Sequence, residues 1–111
     1  MTERFADFEE FWPFYLGEHS LPATRQFHFL GTTVGLVLLS FGQWIAAPIV
    51  AYGCAWAGHF VFEKNKPATF RHPLWSFRGD FRMYKMMLLG ELDAELARLD
   101  IRAPASPAQG A

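Results

Sequence analysis

The feature that most constrains this chain is a stretch of 37 residues, from Gln26 to Phe62, that contains no Asp, Glu, Lys or Arg. A stretch of this length without charge predicts either a lipid environment or a deep core. His28 and His59 lie near its two ends, and a buried imidazole needs a hydrogen-bond partner or a metal ion. The segment Ser40 to Gln43 and the nearby Pro48 interrupt the stretch, and a turn there would bring both histidines together.

The pattern predicts an all-α fold, that of a small helical membrane protein with a central helical hairpin and amphipathic helices at both ends. The hairpin is expected at about residues 25–64 of a single domain over 1–102, followed by a disordered tail over 103–111. Residues 44–64 are long enough to span a bilayer, whereas residues 25–41 are at the short end. The alternative is a buried soluble hairpin inside an oligomer. Four glycines would allow close helix–helix approach: Gly31, Gly35, Gly53 and Gly58.

The two flanking segments are expected to be amphipathic helices. The first covers residues 2–16, with Thr2 as its cap and Pro13 expected to kink or end it. The second covers residues 74–99, and Gly90 would divide it. Its apolar stripe, which would pack on the hairpin or lie at a membrane interface, consists of Phe77, Phe81, Tyr84, Leu88, Leu92, Leu96 and Leu99.

Charge and composition narrow the class of protein further. Basic residues flank the hairpin and are missing from its turn, so the positive-inside rule predicts an integral membrane protein with both termini cytoplasmic. The net charge of -1 gives no argument for nucleic acid as a partner. Cys54 is the only cysteine, which excludes an intrachain disulfide. Because the chain has no Gly-rich phosphate loop and no serine nucleophile motif, nucleotide-binding and hydrolase functions have little support.

All four histidines of the chain are expected at one end of the hairpin. His59 and Glu63 are four residues apart and would share a helix face, while His28 begins the first hairpin helix. His19 and His72 lie in the loops just outside. Imidazoles with one carboxylate suit Fe(II), zinc or manganese, and non-haem iron oxygenases use such ligand sets. The alternatives are histidines that only form hydrogen bonds and, as a weaker hypothesis, haem ligation by His28 and His59.

Charged residues near the histidines are candidates for two further roles. Three basic residues would bind an anionic head group, such as a fatty-acid carboxylate or a lipid phosphate, or would only set the topology: Arg25, Lys64 and Lys66. Glu18 is expected to orient the imidazole of His19 from outside the ligand set. Asp80 is a second outer partner and is expected to pair with Arg78 and Arg82, or with Arg71.

Three motifs in the chain resemble a known family, the small membrane proteins that include the fungal 2-hydroxy-fatty-acid dioxygenase. They are Tyr15-x-x-x-His19, His28-Phe-Leu-Gly31 and Trp56-Ala-Gly-His59-Phe-Val-Phe-Glu63-Lys-Asn-Lys-Pro67-Ala68. The resemblance to this Mpo-like family, formerly a domain of unknown function, covers about residues 11 to 90. It implies an Fe(II)-dependent α-oxidation that shortens a 2-hydroxy fatty acid by one carbon. It also implies that His19, His28 and His59 are the ligands and catalytic residues, joined by Glu63.

The chain departs from the fungal pattern at several points. Thr24 and Thr33 stand where fungal-type members have Asn and Pro, His72 has no counterpart, and further hydrophobic helices are missing. The chain resembles a compact bacterial branch, which implies an inner-membrane location and a homo-oligomer that closes the site. The alternative function is a non-enzymatic membrane hairpin that binds lipid or a protein partner.

Overall fold

The structure is a computed structural model that describes residues 5–66 and 71–101, and within these ranges it contains helices and no β-strand. The helices, in chain order, are α1 (Phe8–Gly17), α2 (Pro22–Ser40), α3 (Ala46–Ala57), α4 (Pro73–Leu88) and α5 (Leu92–Arg98). A π-helical segment, Gly58–Glu63, continues α3 directly and is called the π segment. The all-α prediction is confirmed. Thr2 and the tail over 103–111 lie outside the described residues, and the single-domain organisation stays a prediction.

Helices α2 and α3 form the predicted hairpin, and two glycines of α2 bring the helix backbones close together. A Cβ atom on Gly31 would lie 2.7 Å from the Cβ of Cys54 and 2.8 Å from the carbonyl oxygen of Ala51. A Cβ on Gly35 would lie 3.1 Å from the Ala47 carbonyl oxygen. Gly58 packs against Thr24 in the same way, but Gly53 has no atom near enough to meet a Cβ. The prediction for Gly53 is therefore wrong, because this residue faces away from α2.

The hairpin differs from the predicted pair of lipid-spanning helices. None of the helices in the described parts of the chain combines the length and the apolar character needed to cross a membrane. Residues 44–64 were expected to be long enough, but α3 begins only at Ala46 and its α-helical winding ends at Ala57. Helix α2 has 19 residues, and its first two turns carry the polar side chains of Arg25, Gln26 and His28.

The aromatic core of the protein lies between α1 and the two C-terminal helices, α4 and α5, rather than inside the hairpin. Asp7 caps α1 by accepting a hydrogen bond from the backbone N–H of Glu10 at 2.9 Å. Pro13 lies within α1 and does not end it, contrary to one predicted outcome. Burial of large aromatic side chains on both sides of Pro13 offsets its missing hydrogen bond. The core consists of Phe8, Phe11, Trp12, Tyr15, Leu16, Met83, Leu92 and Leu96.

The C-terminal segment divides at Gly90, as predicted, where a backbone φ of 70° favours glycine. The buried face of α4 differs from the predicted stripe: it consists of Ser76, Gly79 and Met83. This face packs against Tyr15, whose ring would lie 3.1–3.2 Å from a Cβ on Gly79 and thus favours glycine at this position. Phe77 and Phe81, two members of the predicted stripe, are 53% and 41% exposed and line a groove beside the hairpin, which agrees with one of the two positions expected for that stripe.

Glu95 joins α5 to α1 through a buried hydrogen bond and also pairs with Arg98 of its own helix. The indole Nε1 of Trp12 donates to Glu95 Oε2 at 2.7 Å, and Arg98 donates to both carboxylate oxygens at 2.8 and 2.9 Å. These bonds, with Arg98 as the largest cause, lower the pKa of Glu95 from 4.5 to about 2. Ionised Glu95 therefore stabilises the fold above pH 4.5, and this contribution is lost as the pH falls toward 2.

We expect Glu95→Gln to lower the free energy of unfolding at neutral pH by about 2 kcal/mol, a value reduced for solvent screening around Arg98. The difference from the unmodified protein should shrink steadily as the pH falls below 4.5. Urea unfolding of both proteins at several pH values measures it. Glu91→Gln, at an exposed position beside α5, is the control. A difference that does not change with pH would contradict this role of Glu95.

Candidate metal centre

Three of the four histidines converge at one end of the hairpin. His19 follows α1, His28 lies in the second turn of α2, and His59 lies in the π segment. Their exposed fractions are 0%, 6% and 2%. The Nε2 atom of His19 is 2.9 Å from the Nε2 atoms of both His28 and His59, and those two atoms are 3.3 Å apart. Side chains from three separate elements therefore direct the same ring nitrogen to one point.

The Nδ1 atoms of these imidazoles face oxygen atoms on the outer side of the cluster. His19 Nδ1 donates to the carbonyl oxygen of Tyr15 at 2.7 Å, and His59 Nδ1 donates to Asn65 Oδ1 at 2.8 Å. His28 Nδ1 lies 3.7 Å from a carboxylate oxygen of Asp80. A neutral imidazole carries one proton, so a proton on Nδ1 leaves Nε2 with a lone pair. The three lone pairs then face one another, an arrangement that a cation at their centre would stabilise.

Burial keeps these histidines in the form that binds metal. It lowers the pKa of His28 to about 3, with a further contribution from His59. The pKa of His19 is lowered by burial and then by its two imidazole neighbours, and burial also lowers the pKa of His59. Neutral imidazoles are the protonation state that ligates divalent transition metals.

The residues present fit a metal ion. His19, His28 and His59 each offer one ring nitrogen, and the offered atoms lie within 4.8 Å of one another. Metal–imidazole bonds are about 2.0–2.1 Å long, and nitrogens 2.9–3.3 Å apart can share one ion at that distance. Outer oxygen partners at Nδ1 are also typical of metal-binding histidines, because they fix the ring orientation.

The other two predicted ligands, Glu63 and His72, are not brought into this cluster. Glu63 accepts hydrogen bonds from the backbone N–H of Leu21 at 2.6 Å and from Ser20 Oγ at 3.1 Å. The shared face expected for His59 and Glu63 assumed α-helical winding, whereas the π segment closes its turns with a wider spacing. The carboxylate of Glu63 instead accepts a hydrogen bond from a backbone N–H group at the start of α2.

His72 lies in the aromatic core, away from the other three histidines. Its ring stacks on Trp75 with centroids 5.7 Å apart and meets Phe11 and Phe5 edge to face at 5.3 and 5.5 Å. His72 thus packs against α1, although it follows the hairpin closely in the sequence. A role for Glu63 or His72 as a ligand stays a prediction that these contacts do not support.

The three predicted anion-binding residues do not line the metal centre. Arg25 Nη1 donates to the carbonyl oxygens of His19 at 2.7 Å and Ser20 at 3.0 Å, so Arg25 fixes the loop that carries His19. Lys64 and Lys66 are exposed at the end of the π segment. None of these three basic residues therefore lies close to the metal centre in a way that supports its predicted role in substrate binding.

Glu18 and Asp80 both lie near the histidines, where Glu18 contacts Asn65, and Asp80 contacts Tyr15 and His28. Glu18 accepts from the Asn65 amide through its backbone oxygen at 3.2 Å and through Oε1 at 3.3 Å, so it orients Asn65 rather than His19. Asp80 accepts a hydrogen bond from Tyr15 Oη and faces His28. Burial raises the pKa of Asp80 to about 7.

The expected pairing of Asp80 with arginines is wrong for two of the three candidates. Arg78 lies over the ring of Phe8, 4.1 Å from its centroid, and Arg82 pairs with Glu9 at 3.2 Å. Both arginines are thus engaged at α1 rather than at the histidine cluster.

Sequence reasoning missed Asn65 and Tyr15 as partners of the ligands. Tyr15 precedes His19 by four residues, so its carbonyl meets the imidazole at the end of α1. The spacing of four residues could therefore have identified Tyr15 as a partner of His19. Asn65 had no such signal, because its position opposite His59 depends on the π segment and on the left-handed backbone at Lys64, with φ of 62°.

We expect Asn65→Ala to weaken metal binding by about 10- to 100-fold, because His59 loses the acceptor that fixes its tautomer and ring orientation. Equilibrium titration of the metal-free protein with Fe(II) or zinc measures the change. Lys66→Ala, at the exposed neighbouring position, is the matched control and should bind as the unmodified protein does. Equal affinities of the Asn65 variant and the control would show that this contact does not support the site.

An apolar groove adjoins the metal centre and is called the hairpin groove. Its volume is about 210 Å³. His28 and Asp80 line one end, and Leu39 and Pro48 line the other end near the turn between α2 and α3. The groove therefore connects a polar end, lined by one histidine of the cluster and by Asp80, to a long apolar wall.

Comparison with known proteins gives a match at the level of the family. The family model described as 2-hydroxy-palmitic acid dioxygenase Mpo1-like matches residues 5–92, which include the three clustered histidines and the whole hairpin. No curated protein and no solved structure matches the chain.

Proposed function

This chain belongs to the 2-hydroxy-palmitic acid dioxygenase Mpo1-like family, and we propose that it is a metal-dependent dioxygenase that acts on 2-hydroxy fatty acids. The observation that carries the proposal is the convergence of His19, His28 and His59, together with an apolar groove whose end is lined by His28. An amphiphilic acid matches this arrangement, since its polar head would meet the histidine cluster while its hydrocarbon tail occupies the groove.

Fe(II) is the proposed metal, with zinc and manganese as the alternatives. Imidazole ligands suit iron and zinc, whereas manganese prefers oxygen ligands, and three protein ligands would leave positions open for dioxygen and substrate. Bound Fe(II) would supply the activation of dioxygen that the oxidation requires. Haem is not favoured, because His19 Nε2 lies 2.9 Å from both of the proposed axial nitrogens, where a porphyrin ring would have to pass.

The proposed reaction breaks the bond between C1 and C2 of the 2-hydroxy acid. One dioxygen molecule accepts four electrons, C2 becomes the carboxyl carbon of an acid one carbon shorter, and C1 leaves as carbon dioxide together with water. The protein contributes positioning. Tyr15 and Asn65 hold the outer nitrogens of His19 and His59, and Asp80 faces His28. The largely apolar groove excludes water from the tail.

Oxygen uptake tests the proposal directly. Metal-free protein is loaded with Fe(II) under nitrogen and is then given oxygen with either 2-hydroxyhexadecanoic acid or hexadecanoic acid. We expect uptake only with the hydroxy acid, and mass spectrometry should detect the acid that is one carbon shorter. Fully loaded protein that consumes no oxygen with the hydroxy acid would refute the dioxygenase proposal.

The exposed tip of the hairpin supports a second proposal, namely that the protein associates with a lipid surface. Phe41, Trp44 and Ile45 are 77%, 76% and 78% exposed in a turn without charge. Such side chains bind lipid interfaces. A non-enzymatic, lipid-binding hairpin is the alternative function. An inner-membrane location with cytoplasmic termini and a homo-oligomer stay predictions.

Vesicle flotation tests the lipid proposal. We expect the protein to float with phosphatidylglycerol-containing vesicles, and a variant with Phe41, Trp44 and Ile45 changed to serine to remain at the bottom of the gradient. Equal recovery of both proteins in the bottom fraction would refute it. Folded protein that floats but binds no metal would favour the non-enzymatic alternative.

A further inference from the structure

The length of the hairpin groove is a property that the metal centre alone does not explain. The groove starts at His28 and Asp80 and ends at Leu39 and Pro48. Along α2, Leu39 lies 11 residues beyond His28, which corresponds to about 16 Å of helix axis. An extended hydrocarbon of roughly a dozen carbon atoms has that length.

One wall of the groove is made of small side chains from α3. Ala47, Ala51 and Ala55 recur at every fourth residue, so this face of α3 presents methyl groups along the whole groove. On α4, Phe77 and Phe81 meet edge to face with centroids 5.1 Å apart and form the rim. The lining is thus mostly apolar along the whole groove.

The opposite wall is formed by side chains of α2 that lie at increasing distances from His28. Thr32, Leu36 and Leu39 line the groove four, eight and 11 residues after His28, at about 6, 12 and 16 Å along the axis. Leu36 and Leu39 are 41% and 46% exposed. Larger side chains at these positions would therefore occupy space that an acyl chain could otherwise fill.

We propose that the hairpin groove is a ruler for the acyl tail, in which Thr32, Leu36 and Leu39 determine the chain length that the protein accepts. The inference rests on the proposed function, because the metal centre fixes where the head group lies. Each methylene group that is buried against the apolar wall of the groove raises the binding affinity by about fourfold. Methylene groups that extend beyond Leu39 add little to the affinity. Long-chain 2-hydroxy acids are therefore favoured over short ones.

The test uses three variants that block the groove at increasing distance from the metal centre, namely Thr32→Phe, Leu36→Trp and Leu39→Trp. Val37→Trp is the matched control, because Val37 is 50% exposed on the same helix and does not line the groove. Calorimetry of Fe(II)-loaded protein under nitrogen measures binding of saturated 2-hydroxy acids with eight, twelve and sixteen carbon atoms.

We expect graded losses of affinity. Thr32→Phe should weaken all three acids about tenfold or more, Leu36→Trp the two longer acids, and Leu39→Trp only the longest, while the control changes none. The ruler is overturned if the unmodified protein binds all lengths equally, or if the three variants and the control behave alike. Thermal unfolding identifies a variant that does not fold, and Leu36→Phe then takes the place of Leu36→Trp.

Oxygen uptake by the same proteins separates the two proposals. Length-dependent binding without oxygen consumption would retain the ruler and remove the dioxygenase. Oxygen consumption whose chain-length preference is the same in all variants would retain the dioxygenase and remove the ruler.

Discussion

Changing His19 to alanine is expected to abolish stoichiometric metal binding, with an affinity loss of about a hundredfold or more. The His19 Nε2 atom is the one that lies 2.9 Å from both other ligand nitrogens, so its removal leaves two imidazoles that cannot surround an ion. Oxygen uptake with 2-hydroxy fatty acids should disappear with the metal. Elemental analysis of Fe(II)-loaded protein, together with an oxygen electrode, measures both effects.

His72→Ala is the control that distinguishes a ligand from a histidine of the core. His72 packs against Trp75 and Phe11, so its loss should lower stability while metal content stays near that of the unmodified protein. Full metal content in the His19 variant would contradict the three-histidine site. Metal lost in the His72 variant alone would restore His72 as a ligand.

Gly31→Ala is expected to lower the free energy of unfolding by about 2–3 kcal/mol and to weaken metal binding as well. The added Cβ would lie 2.8 Å from the Ala51 carbonyl oxygen, and this backbone atom cannot rotate away as a side chain can. Helix α2 must move from α3 instead. His28 lies one turn before Gly31, so this movement separates His28 from His59, which is fixed by the π segment.

Gly53→Ala provides the matched comparison on the other hairpin helix. Nothing lies within 4 Å of the new Cβ, so the substitution should stabilise the protein by up to about 1 kcal/mol through helix propensity alone. Urea unfolding and Fe(II) titration of both variants measure the contrast. A Gly31 variant as stable as the Gly53 variant would show that the close approach of α2 and α3 is not required.

The hairpin and the histidine convergence could be predicted from the sequence because both follow from one long charge-free stretch with polar ends. A turn at Ser40 to Gln43 forces the ends of such a stretch together. His28 and His59 then meet regardless of the detailed helix geometry, and His19 is only nine residues away from His28. The close approach at Gly31 and Gly35 follows from the same pairing of helices.

The ligand set could not be completed from the sequence because it depends on winding and on remote packing. Local spacing predicted that Glu63 shares a face with His59, but the π segment changes the register between them. His72 is held by Phe5, Phe11 and Trp75, contacts between distant parts of the chain. Similarly, the face of α4 that carries Gly79 packs against Tyr15 of α1, a contact that periodicity on α4 cannot reveal.

The three ligands come from the loop after α1, from α2 and from the π segment, so a bound ion acts as a cross-link between separate parts of the fold. By mass action, each tenfold excess of free ion over its dissociation constant adds about 1.4 kcal/mol to the free energy of unfolding. Resistance to proteolysis then rises with the metal supply. The abundance of this protein in a cell would thus vary with the supply of the metal that it binds.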